Sequence, residues 1–435
     1  MTSACTISRV HARRVWDSRG RPTVEAEVSL HGGASGRAIV PAGASKGSRE
    51  ALELRDGGGR FGGLDVQQAL GNVKGEIARA VLGLAADDQA RLDDTLIALD
   101  GTPNKTRLGA NATLAVSMAA AHAAAAQHGL PLYRYLRGGD AAPLRLPMPQ
   151  IQIFGGGAHA GRRVDIQDFM VVCPGATSFA QALEWTADVY RHAGLLMRER
   201  GSLAGVADEG GWWPTFDTNE EALDALQRAI ENAGYVPGAQ VAIALDIAAS
   251  DFGRGGRYTL GLERRELDSD GLIELLLRWC ERYPIASIED PLAEDDPLAF
   301  ARFTAAVGAR LQVVGDDFLV SDATLLREAA AAGAANTVLL KPNQRGTLSE
   351  TLRCWDAARA AGYAAIVSAR SGETEDTTIV DLAIGWDVGQ LKVGSFARSE
   401  RMAKWNEALR IEERLGAAGR FAGAGVFGRN PPGPR

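Results

Sequence analysis

Three acidic residues close three successive apolar runs, and a lysine closes the fourth: Asp246 after VAIAL, Glu289 after IASI, Asp316 after LQVVG and Lys341 after TVLL. The intervals are 43, 27 and 25 residues, each about the length of a strand, a helix and two loops. In a parallel α/β barrel the C-terminal strand ends open on one common mouth, so this spacing gathers three carboxylates and an amine in one site. Carboxylates so crowded repel unless a cation lies between them. All-oxygen ligation suits Mg²⁺. A lysine beside such a cation can serve as a base toward carbon if its pKa falls roughly three units from ~10.4, a cost of ~4 kcal/mol. Lys392, after a later apolar run, adds charge repulsion in that direction.

Other groups join this set. VADEGG places Asp208 and Glu209 in a small flexible loop, where a carboxylic acid can protonate a leaving hydroxyl. SARSGETED carries Arg370 and Ser371, a natural pair for holding a phosphate. PAGASKG (Pro41 to Gly47) does not match a phosphate-binding GxxxxGK[ST] loop and reads as a mobile lid. His159 in GGGAHAG has a glycine-rich setting that favours a site role over packing.

The elements that must position these residues fall into two patterns. Up to about residue 135 the chain does not alternate strand and helix. Thr23 to Leu30 alternates apolar and polar like a half-buried antiparallel strand, Arg37 to Val40 pairs with it, and helices are predicted over Val66 to Val81 and Asn111 to Gln127. Ala119 to Ala126 reads as buried helix rather than membrane span, and Pro143 to Pro149 as the linker. Beyond it, amphipathic helices are predicted at Leu272–Tyr283, Pro297–Val307, Asp322–Ala332, Leu348–Ala361 and Thr377–Asp387. Apolar runs between them end at Asp246, Glu289, Asp316, Lys341, Ser368 and Lys392. The fold class is α/β, a modified eight-stranded (β/α) barrel whose first strands lie between residues 150 and 210, under an N-terminal α+β capping domain. An open doubly wound sheet is the runner-up, disfavoured because the chemistry sits at every strand end rather than at one switch point. The predicted divisions are 1–138 for the cap, 139–427 for the barrel and 428–435 for a disordered tail.

Bulk composition excludes several classes. The chain has 435 residues, 46% apolar, with net charge −7 and no basic stripe, which argues against nucleic acid. No apolar run is long enough for a membrane span, and the start reads without a secretory leader. Four scattered cysteines with no CxxC pair argue against a zinc site and fit a reducing cytosol, so a cytoplasmic location is expected.

WDSRGRPTVEAEV, NKTRLGANATLAVSMA, DEGG, SIEDPLAEDD, GDD, LLKPNQRGTLSET, RSGETED and ARSERMAKWNEALRIEE together resemble the enolase family over nearly the whole chain. That resemblance implies a capping domain on a modified barrel, in a homodimer or higher homo-oligomer, acting on a small phosphorylated or phosphonylated acid. It implies Asp246, Glu289 and Asp316 as Mg²⁺ ligands, Lys341 as the base and Glu209 as the acid. It implies Lys392 on the substrate carboxylate, Arg370 and Ser371 on the phosphate beside Ser368, and Gln167, Asp168 and His159 lining the pocket.

The chain departs from the family pattern at and beside this site. Ala42 stands for the lid serine, which puts a second Mg²⁺ in doubt, and Lys46 adds a charge. Ala369 stands for a histidine, Phe154 for an asparagine and Asp168 for a glutamate; Pro342 follows the lysine in place of valine. Trp212, Trp213, Arg162 and Arg163 add bulk and charge suited to a further anionic or planar group. The expectation is retained carbanion chemistry in a remodelled substrate environment, as in a carboxyphosphonoenolpyruvate synthase of phosphonate antibiotic biosynthesis. The alternatives are an ordinary glycolytic enolase and a non-catalytic binding protein of the same fold.

Overall fold

The runs AIALD, IASIE, QVVG and TVLL are buried at every position, as strands covered on both faces must be. In the computed structural model, which describes residues 3–44, 46–140, 142–202 and 205–427, they join four more strands in a closed eight-stranded barrel. The strands are Met148–Gly155, Asp168–Val172, Ala242–Asp246, Ile285–Glu289, Gln312–Gly315, Thr337–Leu340, Ala364–Ser368 and Gln390–Ser395. The last pairs back onto the first. All neighbours run parallel except Asp168–Val172, which is antiparallel to the strands on both its sides. The predicted eight-stranded α/β barrel is therefore present, with its first two strands between residues 148 and 172.

Helices cover the outside, starting where the chain supplies caps. Asp322 accepts from the amides of Thr324 and Leu325 ahead of Ala323–Ala332, Thr347 accepts from Glu350 ahead of Leu348–Ala360, and Asp296 precedes a first-turn proline in Pro297–Val307. The predicted helices agree within a few residues; Ser269–Arg282 and Thr378–Gly385 complete that set. Three long helices were not predicted: Phe179–Glu199 and Asn219–Asn232 between the second and third strands, and Ser399–Leu415 after the last.

The N-terminal part is a three-stranded antiparallel sheet, Ile7–Trp16, Pro22–Leu30 and Ser35–Ile39, laid on the helix Ala110–Gln127. The alanines of that helix permit close approach. A Cβ on Gly36 would lie 2.2 Å from the Ala123 backbone nitrogen, so both surfaces must be small. The same helix fastens this part to the barrel: Thr113 donates to the Gly346 carbonyl at 2.8 Å, and Ser117 accepts from the Leu348 amide at 3.0 Å. Buried Lys105 pairs with Glu350 at 2.8 Å across the same seam.

Three local expectations are corrected. The helix predicted over Val66 to Val81 is interrupted by a π-helical turn, Val73–Ile77, in a stretch where Gly71 and Gly75 weaken the regular ladder. Pro143 to Pro149 is no loose linker: Arg145–Leu146 pairs with Arg420–Phe421, and the first barrel strand begins at Met148. Lys392 does not end its strand but is the third of six residues in Gln390–Ser395. The predicted tail, 428–435, lies outside the described residues.

Candidate active site

Strand register sets the floor of the site. Asp168 is paired with Asp246, and Asp246 with Glu289, so three acids stand side by side on three adjacent strands. The antiparallel strand reaches the mouth at its first residue, which is why Asp168 and the preceding Gln167 point there. Ser368 is paired with Lys392 on the far wall. One cavity is lined by Gln167, Asp168, Glu209, Asp246, Asp316, Lys341, Ser368, Arg370, Ser371 and Lys392, together with Asp290, Asp317 and Ala369. Thus nearly all of the predicted site residues meet in one place. Glu289 lies beside the cavity and reaches it through Lys392. His159 lies in a short turn, Gly157–Ala160, and its side chain is outside the described residues.

Two buried lysines hold the acids. Lys392 Nζ is 2.7 Å from Asp246, 2.8 Å from Glu289 and 3.3 Å from Asp168. Burial disfavours its charge, but these carboxylates outweigh burial and hold it well above the ordinary lysine range. Lys341 Nζ is ion-paired with Asp316. Burial, Arg370 and Lys392 all push the Lys341 amine down, yet Asp316 wins and the net shift is upward. Asp316 in turn is pushed up by burial and pulled below its ordinary value by Lys341. The downward shift that a base needs is therefore opposed by Asp316 first and by Glu289 after it.

The acids themselves fit a hard divalent cation. Glu289 is buried, and its Oε1 has no hydrogen-bond partner among the described residues. Burial first, then Asp246 and Asp316, raise its pKa well above the usual carboxyl range. Asp290 and Asp317 are likewise raised, by burial and then by Asp316. Oxygens of Asp290, Asp316 and Asp317 lie within 4.8 Å of one another. An orphaned carboxylate oxygen in a buried, mutually repelling, all-oxygen set is what Mg²⁺ relieves.

The opposite side of the cavity is built for an anion. Arg370 is buried and pairs with Glu50 at 3.0 Å, and the pair outweighs burial to keep the guanidinium charged. The lid lies directly on it. A Cβ on Gly43 would sit 1.9 Å from Arg370 Nη2; Ala44 N donates to Ser371 Oγ at 3.1 Å; Ala42 exchanges two backbone hydrogen bonds with Gly372. Glu209, buried on the loop between helices Phe179–Glu199 and Asn219–Asn232, is fixed by its carbonyl accepting from the Ser395 amide at 2.9 Å.

Sequence reasoning missed the residues that aim these groups. Gln152 donates to Asp168 and accepts from the Gly211 amide; Gln167, already expected in the pocket, donates to Asp246 at 2.9 Å. Gln344 donates to Asp316 at 2.9 Å, and Asp290 accepts from the amides of Asp316 and Asp317 at 2.9 and 2.7 Å. Asp290 and Asp317 were visible as the second acids of SIED and GDD. Glu50, far off in sequence, carried no signal.

Several departures from the family pattern are absorbed by packing. Phe154 is fully buried edge-to-face on Phe216, with centroids 5.6 Å apart, and does not line the cavity. Trp212 stacks on Tyr190 at 4.6 Å and donates to its carbonyl at 2.8 Å. Arg163 covers Trp213, 4.3 Å from the ring centroid, while Arg162 donates to the Asp251 carbonyl at 3.1 Å. None of these offers the cavity the new anionic or planar contact that was expected. Among the described residues, Asp168 and Ala369 on the cavity wall and Ala42 in the lid are the departures that fall in the site itself.

Residues 7–136 match the family described as enolase, N-terminal domain, and residues 143–429 match enolase, C-terminal TIM barrel domain. A curated relative from Rubrobacter xylanophilus, named Enolase, is 51% identical over 422 residues, covering 97% of this chain and 98% of the relative. Among the described residues no helix is long and apolar enough to cross a membrane.

Proposed function

The chain belongs to the enolase family of carbon–oxygen lyases, and on that premise we propose that it removes the α-proton of 2-phosphoglycerate or a close analogue and expels the β-hydroxyl to give an enolpyruvate ester. The observation that carries this reading is the single cavity that joins Lys341 and Glu209 to a buried acid set and to the Arg370–Ser371 wall. Asp246, Glu289 and Asp316 would hold Mg²⁺, with Asp290 and Asp317 close behind. When bound, the ion supplies positive charge where the carboxylate becomes an ene-diolate. Lys341 takes the α-proton, and Glu209 gives a proton to the departing hydroxyl, so the elimination releases water with charge balanced. Lys392 orients the substrate carboxylate, Arg370 and Ser371 hold the phosphoryl oxygens beside Ser368, and the lid backbone over Arg370 excludes water.

The named relative favours 2-phosphoglycerate. A second reading, a phosphonate-bearing analogue in antibiotic biosynthesis, is supported by Ala369 on the cavity wall and Ala42 in the lid; the packing of Phe154, Arg162 and Arg163 takes support from it. The test is turnover of 2-phosphoglycerate with excess Mg²⁺, followed by the ultraviolet absorbance of the enol ester, beside a Lys341→Ala control. Rapid Lys341-dependent product selects the ordinary reaction. Absent turnover in a protein that still binds Mg²⁺ selects the analogue, tried next with nucleotide-activated phosphonoformate; product from neither substrate sinks both readings. We further propose the division at residues 138/139 and, from the family resemblance, a cytoplasmic homodimer or higher homo-oligomer, checked by sedimentation.

A further inference from the structure

Three segments far apart in sequence bring Cys5, Asp87 and His128 together at the far edge of the N-terminal sheet. Cys5 precedes the strand Ile7–Trp16, Asp87 lies in the turn before the helix Gln89–Asp100, and His128 follows the helix Ala110–Gln127. Cys5 Sγ is 3.8 Å from His128 Nε2, and that nitrogen is 3.5 Å from Asp87 Oδ2. All three candidate ligand atoms lie within 4.8 Å of one another.

The backbone around them is tied down. The Ala86 amide donates to the Cys5 carbonyl at 2.9 Å, and Ile7 donates to Leu84 at 2.8 Å, so the Cys5 and Asp87 segments form one unit. His128 N donates to the Ala124 carbonyl at 3.0 Å, which continues the helix into the ligand residue. The imidazole stacks on Tyr135, with centroids 5.9 Å apart and planes 19° apart. Thiolate, imidazole and carboxylate at zinc lie about 2.3, 2.0 and 2.0 Å from the ion, so tetrahedral edges between them run about 3.3–3.6 Å. Two of the observed edges, 3.8 and 3.5 Å, come within a few tenths of an ångström of these without any rotation of the backbone, and the third, between Cys5 and Asp87, is no longer than 4.8 Å. His128 and Asp87 are exposed while Cys5 is buried, so an ion can enter from solvent and still reach a shielded sulfur.

We propose that Cys5, Asp87 and His128 form a binding site for a borderline-soft divalent cation such as Zn²⁺, separate from the Mg²⁺ chemistry of the barrel. The donor set decides the class. A sulfur and an imidazole select Zn²⁺ or Co²⁺ over Mg²⁺, which takes oxygen ligands. On binding, the Cys5 thiol releases its proton to solvent and the thiolate takes the metal bond. The ion would clip the segment before the first strand to the turn ahead of one helix and to the C-terminal end of another, in the same sheet unit whose third strand, Ser35–Ile39, leads into the lid. The proposal does not depend on which substrate the barrel takes. It also revises the sequence expectation: the absence of a CxxC pair excludes the common zinc motifs, not a site assembled by the fold.

The test is titration of the reduced full-length protein with Co²⁺ in excess Mg²⁺. One equivalent is expected to give a near-ultraviolet thiolate-to-cobalt charge-transfer band, which an all-oxygen site does not produce. Cys5→Ala should abolish the band with Mg²⁺-dependent turnover unchanged, and exposed His128→Ala should weaken Co²⁺ binding by at least about tenfold. No band in the wild type, a band that survives Cys5→Ala, or unchanged affinity in His128→Ala would overturn the proposal.

Discussion

Replacing Lys392 by methionine keeps most of the side-chain volume and removes the charge shared by Asp246, Glu289 and Asp168. At their 2.7–3.3 Å separations, and an effective dielectric of about 20, each contact carries about 5–6 kcal/mol of gross attraction. Burial of the ammonium opposes this by several kcal/mol, and removing one partner of a buried pair costs about 3–5 kcal/mol net. Proton uptake by Glu289, whose pKa is already raised, relieves part of the repulsion. We expect Lys392→Met to lose about 3–4 kcal/mol near neutral pH in EDTA, read as a lower urea midpoint at unchanged m. The sign with pH follows from the acids. Without the lysine the folded-state pKa of Glu289 moves further above its unfolded value, so stability is kept at low pH and lost as pH rises through it. Mg²⁺ at about 100 times its Kd stabilises by ~2.7 kcal/mol, and the gap between variant and wild type should narrow because the uncompensated acids bind the ion more tightly. A loss below about 1 kcal/mol in EDTA, or a deficit that does not shrink on acidification, would refute this account of the acid cluster.

Gly43→Ala places a methyl against Arg370 and should lower turnover by about a hundredfold while leaving the thermal midpoint nearly unchanged; equal kcat/KM would mean that the lid is not seated on Arg370 during reaction. Glu209→Gln should cost about 10²–10⁴ in kcat with Mg²⁺ affinity retained, measured by steady-state kinetics and calorimetry. Burial pushes Asp381 up to about 7, against the Tyr133 amide that it accepts from at 3.1 Å. A raised folded-state pKa stabilises fully below the unfolded value and is lost as pH climbs toward 7, so Asp381→Asn should gain on the wild type by roughly 3 kcal/mol between about pH 5 and pH 8. Urea unfolding at the two pH values checks it, and a parallel pH dependence of the two proteins would contradict it.

The barrel and its acids were legible because each strand is a short apolar run closed by a polar residue, a local signal that period and length alone expose. Lys392 was recognised but misplaced, since a lysine inside a buried strand looks like its end. The reversal of Asp168–Val172 was invisible, because a five-residue apolar run carries no mark of direction. Phe154 and Trp212 were read as changes to the pocket; their contacts with Phe216 and Tyr190 are tertiary facts that sequence position beside a motif cannot report. Glu50 and Arg370, 320 residues apart, and the Cys5–Asp87–His128 cluster belong to the same class, defined only once the chain is folded.

The reversed strand also settles a question of parity. A strand that runs down from the mouth leaves the chain at the barrel's base, and the next strand, antiparallel to it, must start from that base. The connection therefore makes an even number of crossings, here two, the climb and return of Phe179–Glu199 and Asn219–Asn232. The turn at the top of this excursion is delivered back to the mouth, and Glu209 sits on it. One inverted strand thus brings a carboxyl group to the cavity from outside the ring of strand ends, on a loop whose length can change without altering the barrel's own spacing.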